Sequence, residues 1–189
     1  MGQLINGQWR SQDELTNLKG EFKRSASVFV GNLPQAPQSP SQYLLIASRA
    51  CPWAHRVLLA RNLKGLSALE VHYAPPVLGE QGWRLPNSFT SLLQSAPPQS
   101  AWVHTLYTRT YPAYTGRVTL PLLWDQEAER ALSNDSNELL WWLLESWPQL
   151  TPSPSNPTLT PISSEEERAE VREALQWITS NITNGPYRA

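Results

Sequence analysis

The sequence predicts an α/β domain followed by the start of an all-helical one. Three observations carry this. A short apolar run, a helical period opened by proline and a second short apolar run succeed one another between Tyr43 and Tyr73, which makes a βαβ unit. Seventeen prolines fall mostly in clusters, and clusters mark connections rather than elements; the densest runs from Pro148 to Pro161. Beyond that cluster the chain carries a further helical pattern with one apolar face.

Taken in order, residues 1–41 are polar and punctuated, without a sustained period, and read as an irregular arm. Tyr43-Leu44-Leu45-Ile46-Ala47 has the length and composition of a buried strand. A turn over Ser48-Arg49-Ala50-Cys51 follows, and Pro52 stands where a first helical residue would be. Ala54, Val57, Leu58 and Leu63 then recur at helical spacing, and Lys64-Gly65 supplies the stop. Val71-His72-Tyr73 is a second short strand. Residues 74–101 form a long loop rich in Pro, Gly, Ser and Gln, around Gly79-Glu80-Gln81-Gly82-Trp83; loops of that length are usually functional.

Trp102 to Thr110 fits a short helix. Val118 to Trp124 is strand-like but contains Pro121, which cannot donate to a ladder and so belongs at the strand's start, where a cis bond is an option. Glu129 to Ser133 returns as its hairpin partner. Asp135-Ser136-Asn137-Glu138 has the form of a capping box opening a helix from Leu139 to Trp147, apolar all round and therefore expected to be buried. After the linker at 148–162, Ser163-Ser164 caps a last helix with Val171, Ala174, Leu175, Ile178 and Ile182 on one face, stopped by Gly185-Pro186. The expected organisation is an arm at 1–41, an α/β domain at 42–147, a linker at 148–162, and at 163–189 the first helix of a helical domain. With nothing after it to pack against, that helix reads as belonging to an incomplete domain.

Composition excludes several function classes. Fifteen basic against sixteen acidic residues give a net charge of -1, so neither a nucleic-acid footprint nor a polybasic membrane patch is expected. No apolar run reaches the ~18 residues of a spanning helix. The opening MGQLINGQWR lacks the apolar segment of a signal peptide, and Asn6 at the sixth position argues against myristoylation. The expected compartment is the cytoplasm, where the sequons at Asn134 and Asn181 carry no meaning. Cys51 is alone, which excludes an intramolecular disulfide, and the three histidines are scattered, so no metal site is expected.

Cys51 is the chemical centre. On the turn before a helix and followed by proline, it faces the unpaired N–H groups and positive end of the helix dipole, which stabilises thiolate over thiol. Ala54 stands three residues later, so a dithiol centre cannot form. A lone redox-active thiolate needs a second thiol from solution to resolve its mixed disulfide, and in a cytoplasm glutathione is the candidate. Two further features fit such a site. A strand entered through Leu120-Pro121 leaves the Leu120 backbone open to pair with an extended peptide, and Asn134-Asp135-Ser136 at a helix N-terminus offers N–H groups and a hydroxyl to a carboxylate.

At CPWAHR (Cys51 to Arg56) the sequence resembles the glutathionyl-hydroquinone reductases, the Xi class of glutathione transferases. The similarity continues through MGQLINGQWR, the Gly20-Glu21-Phe22-Lys23-Arg24 segment, Leu63-Lys64-Gly65-Leu66 and GEQGW. It then takes in YTGRVTLPLLWD at 114–125, NDSNEL at 134–139 and NGPYRA at 184–189. The resemblance implies a thioredoxin-like N-terminal domain joined to an all-α C-terminal domain, a homodimer when the helical domain is complete, and reduction of glutathionyl-hydroquinones by glutathione. It places the nucleophile on Cys51 and a proton donor on Tyr187. Glutathione contacts fall on Trp83, on Arg117, Val118, Thr119 and Leu120, and on Asp135 and Ser136. The sequence departs from the family pattern at Leu120 (usually Val), Asp135 (usually Glu) and Pro186 (usually Val). The alternative expectation is a catalytically impaired remnant acting at most as a glutathione- or protein-binding module.

Overall fold

A computed structural model describes residues 2–11, 27–90, 102–147 and 164–183. The predicted βαβ unit is present: β3 (Tyr43–Ala47), α1 (Pro52–Leu63) and β4 (Glu70–Tyr73), with the strands parallel and Leu44 opposite Glu70. Gly65, at φ 68°, ends α1 where the sequence placed the stop. The chain then runs through α2 (Asn87–Thr90) and α3 (Val103–Thr110) to an antiparallel hairpin, β5 (Leu122–Asp125) and β6 (Arg130–Ser133), and into α4 (Ser136–Glu145). The sheet order is β4-β3-β5-β6. This mixed sheet, with helices on both faces, is the thioredoxin-like arrangement.

The central strands are apolar up to Asp125 at the end of β5, because both faces are covered. Leu44 and Ile46 of β3, with Leu122 and Trp124 of β5, pack against Val103, Leu106 and Tyr107 of α3. Tyr43, Leu45 and Leu123 point the other way, onto Val57 and Ala60 of α1 and Leu139, Trp142 and Leu143 of α4. Buried Lys64 is spent on structure: its amine donates to the Leu144 and Trp147 carbonyls at 2.9 and 3.0 Å, closing the C-terminal end of α4.

Some expectations need correction. The arm is not wholly irregular: β1 (Gln3–Ile5) and β2 (Gln8–Arg10) form an antiparallel hairpin across Asn6-Gly7, both with positive φ. Asn-Gly is a strong hairpin signal, weakened here by strands of only three residues. Leu4 then exchanges two backbone hydrogen bonds with Gly116, at 2.9 Å each, anchoring the hairpin to the domain. Pro121, by contrast, stands at the strand's start as expected: pairing begins at Leu122, and the Leu120–Pro121 bond is cis. Within α4, Leu139, Trp142 and Leu143 are buried, but Leu140, Trp141 and Leu144 are only half-buried.

α5 (Glu165–Ile178) forms where the last helical pattern lies, with Ser164 Oγ accepting from the Glu167 N–H at 3.1 Å, and a π turn over Thr179–Thr183 extends it. It meets the domain through Arg168, ion-paired with Glu145 and set over the Trp141 ring. No described helix is long and apolar enough to cross a membrane. The linker 148–162 lies outside the described residues.

Candidate active site

β3 ends at the turn over Ser48, whose carbonyl accepts from the Cys51 N–H at 3.0 Å; this fixes Cys51 as the N-cap residue of α1, in extended conformation. Pro52 follows as first helical residue, and no side chain caps the helix end. The Cys51 sulfur therefore lies where the positive end of the α1 dipole favours an anion. Cys51 is 7% exposed, against 0% for Ile46 and Ala47 in the strand below. Its Sγ donates to the Leu120 carbonyl at 3.2 Å, across 69 residues of chain. Two predicted site residues are thus in direct contact. The helix terminus favours the thiolate, and the bond to a carbonyl favours the thiol.

Thr119, beside Leu120, is held from two sides. Its N–H donates to the Tyr107 hydroxyl at 3.1 Å, and that hydroxyl donates to the Thr119 carbonyl at 2.7 Å. Its Oγ1 accepts from the Asn134 amide at 3.1 Å. Asn134 also accepts from the Phe29 N–H at 3.2 Å, so this buried sequon asparagine is a structural brace between the 117–120 segment and the start of α4. Arg117 and Val118 are buried, and the Arg117 carbonyl accepts from the Tyr114 hydroxyl at 3.0 Å.

At the α4 terminus, Asp135 Oδ1 accepts from the N–H groups of Asn137 and Glu138 at 2.9 and 3.0 Å. The expected capping box is half-formed. Glu138 does not reach the Asp135 N–H, which instead donates to Ser133 Oγ; its carboxylate accepts from that Ser133 hydroxyl and from the Gly31 N–H. Two N–H groups of the predicted carboxylate site are therefore already used. Ser136, 2% exposed, retains its hydroxyl, and the hydroxyl oxygen accepts from the Arg56 guanidinium at 2.5 Å. Arg56 lies in the CPWAHR motif, but its role was not legible there because Ser136 is 80 residues away.

Trp83 is half-buried against the core on the far side of the GEQGW turn. Gly79 and Gly82 exchange backbone hydrogen bonds at 2.9 and 3.1 Å, and Gly82 has φ +81°. A Cβ on Gly82 would fall 2.8 Å from the Trp9 ring, so glycine is required on both counts. Trp9 of β2 stacks on His104 at 5.1 Å and donates to the Glu80 carbonyl at 3.2 Å, while His104 Nε2 pairs with Gln81 Oε1 at 2.9 Å. Trp9 and His104 thus clasp the turn, a pairing between distant parts of the chain that local pattern does not signal. Tyr187 lies outside the described residues.

Burial pushes His104 down from 6.5 to about 4. A base depressed in the folded state is neutral there while the unfolded chain still binds its proton, so stability is full above the unfolded value and falls as pH drops from about 6.5 toward 4. Allowing for its partial exposure, we expect a loss on the order of 1–2 kcal/mol across that window. Urea titrations at several pH values check this; in His104→Gln the part of the slope due to this residue should vanish.

Residues 50–146 match the family model described as the N-terminal domain of glutathione S-transferase. The chain is 34% identical over 193 residues to the glutathionyl-hydroquinone reductase PcpF of Sphingobium chlorophenolicum, covering 100% of this chain and 59% of that protein. Among solved structures it is similar to glutathione S-transferase Xi of Phanerochaete chrysosporium (TM-score 0.74, 31% identity, covering 92% of this chain and 56% of that one). It is also similar to the glutathione-bound structure of YqjG, a glutathione transferase homologue of Escherichia coli K-12 (TM-score 0.67, 29% identity, 98% of this chain and 57% of that one). The chain thus spans less than two thirds of these relatives' own length. A parallel-then-antiparallel sheet carrying a cysteine at the mouth of α1, against the residue before a cis proline, and the match over 50–146 lead to one assignment: the chain belongs to the glutathione S-transferase family, where it is similar to the Xi-class glutathionyl-hydroquinone reductases.

Proposed function

We propose that the chain is a glutathione-dependent oxidoreductase that reduces glutathionyl-hydroquinones through a Cys51–glutathione mixed disulfide. The observation that carries this reading is the placement of the only cysteine at the N-terminus of α1, in contact with the Leu120 carbonyl ahead of Pro121. The tripeptide lies extended along 117–120, pairing with the Leu120 backbone as an added strand, with Val118 and Thr119 shaping the floor and Arg117 and Trp83 at its flanks. Asp135, whose Oδ1 already serves the helix, offers its other oxygen to the γ-glutamyl ammonium. The Ser136 hydroxyl and N–H take the α-carboxylate.

In the reaction, the Cys51 thiolate attacks the glutathione sulfur of the thioether. The carbon–sulfur bond breaks, its electron pair passes to the ring carbon, and that carbon takes a proton from Tyr187, a general-acid role. Hydroquinone leaves, and Cys51 is joined to glutathione. A second glutathione thiolate attacks the glutathione sulfur of this disulfide, releasing oxidised glutathione and restoring the Cys51 thiolate. The helix terminus supplies stabilisation to the sulfur anion at the start and end of the cycle.

A second reading, a glutathione-binding module without turnover, is favoured by one observation: Trp177 and Ile182 around α5 are 59% and 58% exposed, so the apolar face beside the domain is uncovered. Incubation with oxidised glutathione, read by mass spectrometry, is expected to add one glutathionyl group at Cys51, and glutathionyl-menadiol is expected to be reduced. An adduct without reduction selects the module. No adduct removes the Cys51 mechanism, and S-methylglutathione binding then decides whether the module stands.

A further inference from the structure

Arg56 is half-buried on α1, one turn beyond the cysteine, and its guanidinium is forked. One terminal nitrogen donates to Ser136 Oγ at 2.5 Å, and the other donates to Thr179 Oγ1 at 3.3 Å in the turn that extends α5. A guanidinium has five donors and no acceptor, whereas a hydroxyl has one proton and two acceptor positions. The direction of the 2.5 Å bond is therefore fixed: the serine oxygen accepts. Its own proton is left to be given away, and among the described residues nothing accepts it. Ser136 is 2% exposed, so a buried hydroxyl with an uncommitted proton sits at the first position of α4, beside an N–H that no described group takes.

We infer that Arg56 is a positioning residue for glutathione recognition: by occupying the Ser136 oxygen it makes that hydroxyl an obligatory donor, aimed at the α-carboxylate of the γ-glutamyl group. The inference rests on the proposed glutathione reading and adds to it the residue that sets the polarity of the site. Without the guanidinium the hydroxyl is free to rotate and donate elsewhere, and an anion loses a nearby positive charge. The Thr179 arm keeps the guanidinium from swinging away and joins the recognition site to α5.

The test uses the full chain and two probes that cannot react, S-methylglutathione and the same compound amidated at the γ-glutamyl α-carboxylate, with affinities from calorimetry. In the unaltered chain the amide is expected to bind about ten-fold more weakly, the size of one charge-assisted hydrogen bond. Arg56→Gln is expected to weaken S-methylglutathione by about ten-fold and the amide hardly at all, so that the ratio falls toward one. Arg56→Lys keeps the charge but not the fork and should retain part of the ratio. Arg56→Gln combined with Ser136→Ala should be no worse than the weaker-binding single variant, because the two act through one bond.

Equal weakening of both probes by Arg56→Gln would show a merely structural role and overturn the inference, as would an unchanged ratio. If Arg56→Gln does not fold, Arg56→Lys decides: a reduced ratio supports the inference and an unreduced one removes it. Failure of S-methylglutathione to bind the unaltered chain would instead remove the glutathione reading itself, which the variants cannot do.

Discussion

Cys51→Ser is expected to abolish both the glutathionyl adduct and the reduction of glutathionyl-hydroquinones, a loss on the order of a thousand-fold or more in turnover. Serine is nearly the same size and can still donate to the Leu120 carbonyl, so the contact now made by Sγ at 3.2 Å survives and the fold with it. What disappears is the ionisable sulfur. A hydroxyl at a helix terminus is not an alkoxide at neutral pH, whereas the same terminus shifts a thiol toward its anion. The variant should therefore unfold at the same denaturant concentration as the unaltered chain and bind S-methylglutathione comparably, while doing no chemistry. Retained turnover would mean that the nucleophile lies elsewhere. Following thiolate formation by its ultraviolet absorbance gives a second check. The proposed mechanism predicts a thiolate signal near neutrality, and a thiol that stays protonated there would remove Cys51 as the nucleophile.

Trp124→Ala carries the largest expected cost to stability. The side chain is 1% exposed on β5, opposite Leu44 in the ladder, and its ring meets Phe89 edge-on at 6.4 Å. Removing an indole from such a place leaves a cavity its neighbours cannot close, at a cost of about 3–5 kcal/mol. Equilibrium unfolding in guanidinium should show the loss as a lower midpoint. Because β5 begins two residues after Leu120, we also expect weaker glutathione binding, as the strand that holds the 117–120 segment loosens. Trp177→Ala is the control: at 59% exposure on α5, it should change stability by less than about 0.5 kcal/mol. Equal losses from the two substitutions would contradict the assignment of the core.

What was legible in the sequence was local. The period of Tyr43–Ala47, the proline after Cys51, the stop at Gly65 and the acidic cap at Asp135 each state a preference within a few residues, and the structure places an element at each. The proposed reactive centre was legible for the same reason, since a cysteine ahead of Pro52 marks a helix terminus without reference to the rest of the chain. The β1–β2 hairpin was missed although Asn6-Gly7 signals it, because three-residue strands give no period. Contacts with distant segments, Leu4 with Gly116, Gly7 with Tyr114 and Trp9 with His104, hold them to the domain.

Local pattern was enough for the α/β class, the positions of most helices and strands, and the choice of Cys51 as candidate nucleophile. The fold as a whole set the bond from Cys51 to Leu120, the brace from Asn134 to Thr119, the clasp of Trp9 and His104 on the GEQGW turn, and the meeting of Arg56 with Ser136. Each of these joins residues far apart in the chain, and local pattern carries no information about such pairs. Helix and strand follow from the spacing of apolar side chains, but which polar groups meet is fixed only when the sheet order brings distant segments together and burial presses most donors to find an acceptor.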